Sequence, residues 1–172
     1  MKRHFLRTLP ALVALSVLPL FAAAQAAWPA KPITLVSPYA PGRTTDLLAR
    51  SLASKLQGVL GQTVIVENKG GAGGNIGTDY VAKAKPDGYT FLVASSGPLV
   101  IAPSLYPKLP YQPNTDFTAV APIANAAFVI AVNPKSGLTS IKDIIAKAKT
   151  GDLAFASAGS GTPQHIIGEM FN

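Results

Sequence analysis

The sequence contains no cysteine, so the fold cannot depend on disulfide bonds and must be held together by a packed core. Its two histidines, His4 and His165, lie far apart in the chain, and without thiolates they cannot form a histidine–cysteine metal cluster. We therefore expect no metal ion or other cofactor. Charged residues make up only 13% of the chain, and the lysines are scattered rather than gathered into a basic stripe with aromatic side chains. This distribution argues against nucleic-acid binding.

The first 26 residues have the composition of a cleaved secretory signal peptide. Three basic residues open the chain: Lys2, Arg3 and Arg7. An apolar stretch at 9–24 follows, and Ala24 and Ala26 supply the small residues that signal peptidase requires. The alternative is a transmembrane anchor, but this stretch is short for a bilayer and contains prolines. Cleavage near Ala26 leaves 146 residues with twelve basic and eight acidic side chains, a mild positive charge that attracts anions.

Beyond residue 26 the hydrophobic pattern alternates between short apolar strands and amphipathic helices. The first part predicts strands at 33–36, 63–66 and 89–94, with helices at 46–60 and 76–84 between them. Five prolines within 97–116 predict an irregular loop with a short helix around 103–106. The remainder predicts either a strand pair at 117–123 and 128–132 or one interrupted strand and its neighbour. A helix at 141–149, a strand at 153–156 and a final helix with Thr162 as its cap and Pro163 in its first turn are predicted to follow. Such alternation is typical of an α/β fold with a largely parallel sheet covered on both faces.

Residues typical of helix ends support these boundaries. Thr45 is the predicted N-cap of the first helix, and Gly61 is the glycine expected to end it. Ser140 and Asp143 have the spacing of a capping box before the helix at 141–149. The last helix stops at 172 without a cap or a following strand, which suggests that the chain is a fragment of a longer protein.

Glycine, serine and threonine are concentrated in the turns that lead from strands into helices. A helix start offers N–H groups without internal partners and the positive end of the helix dipole, which together suit a carboxylate or phosphate. Glycines let the ligand approach the backbone, and hydroxyls add donors. The candidate ligand-binding residues are Tyr39, Gly42, Arg43, Thr44, Thr45 and Asp46 after the first strand, Gly73 and Asn75 after the second, Ser95 and Ser96 after the third, and Ser157, Gly159, Ser160, Thr162 and His165 before the last helix.

Each of these turns also has an ordinary structural interpretation. Asp46 would be favoured at a helix start without any ligand, Asn75 could cap its helix, and the serines at 95 and 96 could form a plain turn. Residues 71–77 miss the dinucleotide pattern G-x-G-x-x-G because the last glycine comes one position late.

The alternative from another class is a secreted serine hydrolase that uses Ser160 and His165. A nucleophile elbow needs glycines two positions before and after the serine. Ala158 and Thr162 occupy those positions, so the pattern favours carboxylate binding by the serine and threonine hydroxyls over catalysis.

Several short motifs follow one another in a fixed order along the chain. They are Pro29-Ala30-Lys31-Pro32-Ile33, Pro41-Gly42 with Thr45-Asp46-Leu47-Leu48-Ala49-Arg50, Gly61-Gln62, residues 66–77 and 82–90, Asp116-Phe117, and residues 157–161 with His165. Together they resemble the substrate-binding receptors of tripartite tricarboxylate transporters, the Bug family of periplasmic proteins. One position departs from the family pattern. Arg43 follows Gly42 where the family has a second glycine, and it either donates to a ligand carboxylate or crowds the pocket.

The resemblance implies a periplasmic-binding-protein-like receptor, a two-lobed Venus-flytrap α/β fold that closes on a small carboxylate and carries out no reaction. After the signal peptide at 1–26, residues 27–124 would form the first lobe and residues 125–172 the truncated start of the second. The implied partners are a small carboxylate solute and membrane transporter subunits, with the receptor a monomer in the periplasm. A non-functional truncated remnant is a further alternative.

Overall fold

The computed structural model describes residues 27–151 and 153–171. The predicted signal peptide at 1–26 lies outside the described residues. Within those two ranges, none of the helices combines the length and the apolar character needed to cross a membrane.

A three-stranded parallel sheet forms the centre of the fold. Its strands are β1 (Ile33–Ser37), β2 (Val64–Asn68) and β3 (Thr90–Leu92), arranged in the order β2-β1-β3. Helix α1 (Thr44–Leu60) connects β1 to β2, and helix α2 (Asn75–Ala82) connects β2 to β3. The chain therefore passes from β1 to β2 on one side of it, and then crosses over β1 to reach β3 on the other side. At such a switch point, ligands bind in the crevice outside the carboxyl ends of the strands.

The hydrophobic core lies where the sheet meets α1. Ile33 and Leu35 of β1 and Val64 of β2 are buried against Ala49 and Ala53 of the helix. The small alanine side chains let the helix approach the strands closely. Each buried branched aliphatic side chain contributes about 1.5–3 kcal/mol to the free energy of unfolding. This core fixes the strand ends from which the candidate binding loops begin.

The two ends of α1 differ in how well the sequence predicts them. Gly61 ends the helix with φ 63° and ψ 19°, as predicted. The predicted N-cap at Thr45 is wrong, because the helix begins at Thr44, two residues before the predicted start at 46, and Arg43 occupies the N-cap position with an extended backbone and no side-chain cap. Thr45 is already inside the first turn, and its hydroxyl oxygen accepts a hydrogen bond from Ser37 Oγ at 3.1 Å.

The rest of the described chain contains four further α-helices. A π-helical turn at Gly97–Ile101 continues into α3 (Ala102–Leu105), and α4 (Pro113–Asp116), α5 (Ile141–Thr150) and α6 (Pro163–Phe171) follow. The predicted capping box of α5 is confirmed, since Ser140 Oγ accepts from the Asp143 N–H at 3.2 Å and Asp143 Oδ2 accepts from the Ser140 N–H at 2.8 Å.

The strands predicted at 117–123, 128–132 and 153–156 are wrong, because these residues have no regular secondary structure. Their apolar side chains are exposed, as Val120 at 78% and Val129 at 86% show. An extended segment becomes a strand only when a neighbouring strand completes its hydrogen-bond ladder. In the described ranges the sheet consists of β1, β2 and β3, and none of them pairs with these segments.

Candidate functional site

An open cleft of about 660 Å³ lies at the carboxyl end of the sheet, where the fold has its switch point. Three loops line it: the one between β1 and α1 with Tyr39 and Arg43, the glycine loop at 70–74, and the turn at 158–160 before α6. Asn68 at the end of β2 and Tyr106 after α3 complete the lining. The turns after β1 and before α6, which the sequence singles out separately, therefore share one cleft.

Tyr39 holds the first two loops and the end of β3 together. Its hydroxyl lies 2.7 Å from Ser95 Oγ and donates to the carbonyl of Gly73 at 3.2 Å. A Cβ at Gly74 would come within 3.1 Å of the tyrosine ring, so the glycine loop packs directly against it. Ser95 thus contacts a residue that lines the cleft without lining the cleft itself.

The glycine loop also touches the turn before α6. Gly73 has φ 65°, and a Cβ at this position would lie 2.5 Å from the carbonyl oxygen of Ser160. Glycine is therefore required here both by backbone conformation and by close approach. On the other side of the turn, the Tyr106 hydroxyl donates a long hydrogen bond to the same Ser160 carbonyl at 3.5 Å.

Asp46 is buried behind the β1–α1 loop, only 2% exposed, and it does not line the cleft. Its carboxylate accepts hydrogen bonds from Arg50 Nε at 3.1 Å, from the Gly42 N–H at 2.9 Å and from Asn68 Nδ2 at 2.9 Å. These bonds, with that from Arg50 the strongest influence, lower the pKa of Asp46 from 3.8 to about 2. Asn68 Nδ2 also donates to the Tyr39 carbonyl at 3.1 Å. Asp46 therefore fixes the shape of the loop rather than facing the cleft.

Arg43 stands at the N-cap of α1 with its side chain exposed, and it lines the cleft. Of the described residues that form the lining, it is the one with a charged side chain. The Leu47 N–H donates to the Arg43 carbonyl at 3.0 Å, which closes the first turn. Arg43 makes no side-chain cap hydrogen bond at this helix start, and the first N–H groups of a helix have no partner within the helix.

The turn before α6 satisfies several of its own polar groups. Thr162 Oγ1 donates to the Gly159 carbonyl at 2.7 Å and accepts from the His165 N–H at 3.4 Å, so it caps α6 as predicted. Ser157 Oγ accepts from the Gly159 N–H at 3.3 Å. Thr162 is buried, whereas Ser160 is exposed and contributes directly to the cleft.

The second member of the proposed hydrolase pair lies elsewhere. His165 is outside the cleft lining, and its Nε2 lies 3.8 Å from Glu169 Oε1 one helical turn further on. Among the hydrogen bonds of the described residues, none joins Ser160 to His165, so the pair lacks the bond by which a base activates a nucleophile.

Asn75 is a further candidate whose side chain is buried and does not line the cleft. Its side-chain oxygen accepts a hydrogen bond from the Tyr111 hydroxyl at 2.8 Å, and the residue is 8% exposed. The same hydroxyl lies 2.8 Å from the Pro98 carbonyl. Burial raises the pKa of Tyr111 to about 12. Thus Asn75 neither caps α2, whose N-cap is Gly74, nor lines the cleft.

Three of the remaining candidates lie beside the cleft rather than in its lining. Gly42 gives its N–H to Asp46, Thr44 is an exposed residue of the first turn of α1, and Ser96 precedes the π-helical turn. Conversely, sequence reasoning missed Asn68 and Tyr106. Asn68 carried a usable signal, a polar side chain at the carboxyl end of a strand, but the predicted strand stopped at residue 66.

A second hollow of about 620 Å³ lies at the opposite end of the sheet, next to the start of β1 and β3. Five charged side chains line it, and four of them form two ion pairs, Lys31 with Asp87 at 2.8 Å and Lys83 with Asp79 at 2.7 Å. The fifth, Lys85, takes part in none of the ion pairs of the described residues. In the described part of the chain, no group of three or more acidic, histidine or cysteine residues is arranged to hold a metal ion.

Comparisons with known proteins show the family to which the chain belongs. Residues 48–172 match the family model described as tripartite tricarboxylate transporter family receptor. Protein BugT of Bordetella pertussis is 44% identical over 147 residues, which are 84% of this chain and 45% of BugT. The chain spans about half the length of the curated relatives it matches.

Solved structures give the same result for the fold. One described as a periplasmic transporter superposes with a TM-score of 0.81 at 41% identity, over 84% of this chain and 49% of that chain. Rpa4515 of Rhodopseudomonas palustris, solved with adipate, superposes with a TM-score of 0.77 at 35% identity, over 84% of this chain and 49% of that chain. The fold is therefore part of a periplasmic-binding-protein fold, as the resemblance implied. The chain belongs to the family of tripartite tricarboxylate transporter receptors.

Proposed function

We propose that this protein is a solute-binding receptor that binds a small organic carboxylate in the cleft at the carboxyl end of the sheet. The observation that carries the proposal is the meeting of three loops, after β1, after β2 and before α6, around one cleft of about 660 Å³. Known small-molecule sites have volumes of several hundred Å³. The adipate bound to Rpa4515 supports a carboxylate as the class of ligand.

The chemistry of the lining suits an anion. Arg43, which lines the cleft, is also the N-cap residue of α1, and a helix start carries N–H donors and the positive end of a helix dipole. Asp46, the acidic group nearest to this helix start, is neutralised by Arg50, whose Nη2 lies 3.0 Å from Asp46 Oδ1. A ligand carboxylate would therefore meet donors and positive charge rather than a repelling carboxylate. The Ser160 hydroxyl would add a further donor from the opposite side of the cleft.

The wider role follows from the family. We propose that the protein works in the periplasm after removal of residues 1–26, as a monomer that passes its solute unchanged to membrane transporter subunits. Residues 27–124 would form the first lobe of the receptor and residues 125–172 would begin the second.

A ligand screen on the purified chain tests the proposal. We expect small organic acids such as adipate to raise the melting temperature, whereas the neutral diamide of the same acid leaves it unchanged. At a concentration one hundred times Kd, the bound acid stabilises by about 2.7 kcal/mol. Equal effects of acid and diamide, or no effect of any acid, would contradict the proposal.

Two matched serine variants locate the site. Ser160→Ala removes a hydroxyl from the cleft lining, and Ser104→Ala removes one from exposed α3 outside the cleft. We expect Ser160→Ala to weaken acid binding about two- to tenfold, as the loss of one hydrogen bond does, and Ser104→Ala to leave it unchanged. Calorimetric titration measures both. An esterase activity that disappears in Ser160→Ala would instead support the hydrolase alternative.

A further inference from the structure

We propose that Tyr106 is a ligand-binding residue of the cleft. On binding, its hydroxyl would leave the Ser160 carbonyl and donate instead to a carboxylate oxygen of the acid. This inference rests on the proposed function of the cleft, because it assigns a further hydrogen-bond donor to that same site.

The polar side chains of the cleft differ in how far the protein itself uses them. The Tyr39 hydroxyl is held by Gly73 and Ser95. Asn68 uses both its side-chain nitrogen and its side-chain oxygen in hydrogen bonds within the protein. The polar side chains of the lining are those of Tyr39, Arg43, Asn68, Tyr106 and Ser160. The side-chain donors that remain for a ligand are therefore those of Arg43, Tyr106 and Ser160.

The Tyr106 hydroxyl makes a weak hydrogen bond to the protein. It lies 3.5 Å from the Ser160 carbonyl oxygen, whereas a hydroxyl donor usually lies about 2.7–2.8 Å from its acceptor. A bond of this length stabilises the protein little. An exchange of the carbonyl for a carboxylate oxygen would be favourable, because hydrogen bonds to charged groups are shorter and stronger than those between neutral groups.

The backbone and the ring of Tyr106 are held in place beside the cleft. Its N–H donates to the Ala102 carbonyl at 2.9 Å, where α3 ends. A Cβ at Gly161 would lie 3.3 Å from the Tyr106 ring, so the ring packs closely against this glycine. A side chain that is already fixed loses little conformational entropy when it binds a ligand.

The contact with Ser160 places the Tyr106 hydroxyl next to the proposed acid. The carbonyl that accepts from Tyr106 and the hydroxyl that would donate to the acid belong to the same residue. A carboxylate bound at Ser160 Oγ would therefore lie beside the Tyr106 hydroxyl, and its oxygens can accept from both residues. The acid would then be held from two sides, by the residue after α3 and by the turn before α6.

Tyr106→Phe tests this assignment, because it keeps the ring and removes the hydroxyl. Calorimetric titration with acetate, butyrate, succinate and adipate measures binding. We expect Tyr106→Phe to weaken binding of the acids that the unaltered chain binds about five- to thirtyfold, as the loss of a hydrogen bond to a charged oxygen does. Tyr80→Phe is the matched control, since it removes the same hydroxyl from an exposed tyrosine outside the cleft, and it should leave binding unchanged.

NMR of the unaltered chain labelled at the tyrosine Cζ atoms measures the hydrogen bond itself. The chain has five tyrosines, so each resonance can be assigned with a phenylalanine variant. We expect the Tyr106 resonance to shift when the acid saturates the cleft and the Tyr80 resonance to stay in place. A purely structural role of Tyr106 would weaken binding in Tyr106→Phe without this shift.

The inference is overturned if Tyr106→Phe binds the acids as tightly as the unaltered chain does, if Tyr80→Phe weakens binding equally, or if the Tyr106 resonance stays in place at saturation. Those results leave carboxylate binding itself intact. An unaltered chain that binds none of these acids would overturn the proposed function together with this inference.

Discussion

Replacing Gly73 with alanine tests whether the glycine loop and the turn before α6 meet as the cleft requires. Gly73 has φ 65° and ψ 14°, and Gly61 at the end of α1 has nearly the same conformation with φ 63° and ψ 19°. A Cβ at Gly61 would meet nothing within 4 Å, whereas one at Gly73 would lie 2.5 Å from the Ser160 carbonyl oxygen. Gly61→Ala therefore lowers the free energy of unfolding only through its backbone conformation. Gly73→Ala lowers it by the same amount and also places its Cβ in steric conflict with Ser160.

The left-handed conformation costs an alanine about 1–2 kcal/mol, which is the loss of unfolding free energy expected for Gly61→Ala. To reach an ordinary contact of 3.4 Å, the Ser160 carbonyl must move by about 0.9 Å in Gly73→Ala. Such overpacking costs about 1–3 kcal/mol more if the turn stays in place. If the turn separates instead, the stability loss equals that of the control, but the Thr162 N–H, which donates to Gly159 at 3.2 Å, loses protection.

Chemical denaturation and hydrogen exchange followed by mass spectrometry measure both outcomes on the two variants. We expect Gly73→Ala to exceed the control in stability loss, in exchange at residues 159–162, or in both. Equal stability losses together with unchanged exchange would show that the two loops do not meet, and the cleft would then lose one of its three sides.

Three further predictions concern single polar groups. Tyr111→Phe removes the hydroxyl that bonds Asn75 and Pro98, so we expect a loss of about 1–3 kcal/mol at neutral pH. The advantage of tyrosine over phenylalanine should decrease from pH 10 towards 12, because the unfolded chain loses the phenolic proton near its usual pKa of 10.0 while the folded chain keeps it until about 12. Asp46→Asn should abolish the part of the stability that is present above pH 3.8 and is lost as the pH falls through about 2. Ser140→Ala should cost α5 about 1 kcal/mol of local stability by breaking its capping box.

Urea denaturation over a pH series checks the first two of these variants, and amide exchange within α5 checks the third. A difference between tyrosine and phenylalanine at 111 that stays constant up to pH 12 would contradict the buried hydroxyl. If the free energy of unfolding of Asp46→Asn decreases at low pH as steeply as that of the unaltered chain, Arg50 and Asn68 do not stabilise the ionised carboxylate. The prediction for Ser140→Ala is contradicted if the α5 amides exchange as slowly in the variant as in the unaltered chain.

The sequence predicted best what depends on nearby residues. Helix α1, its terminal glycine and the capping box of α5 follow from apolar spacing and local end signals, and the structure confirms them. The strands at 117–123, 128–132 and 153–156 were predicted from the same kind of local pattern. They fail because a strand also needs a distant partner, which a local pattern does not contain.

In the candidate site, too, the features set by neighbouring residues were predicted and those set by distant residues were not. The sequence identified the turns that line the cleft, since glycine and hydroxyl residues between a strand and a helix are visible locally. It did not distinguish a residue that faces the cleft from one buried behind it. Asp46 is buried because Arg50, one turn away, and Asn68, on another strand, converge on its carboxylate. Asn75 is occupied by Tyr111, which lies 36 residues further along the chain.

The hydroxyl of Tyr39 gives the rim of the cleft a mechanical property. One side chain joins Gly73 and Ser95, which follow different strands, and the ring packs against Gly74 as well. A displacement of the segment after β1 must therefore either move the segments after β2 and β3 with it or break these hydrogen bonds. We therefore expect these three segments to shift together when a ligand binds, and Tyr39→Phe, which keeps the ring but removes both hydrogen bonds, to let them move independently.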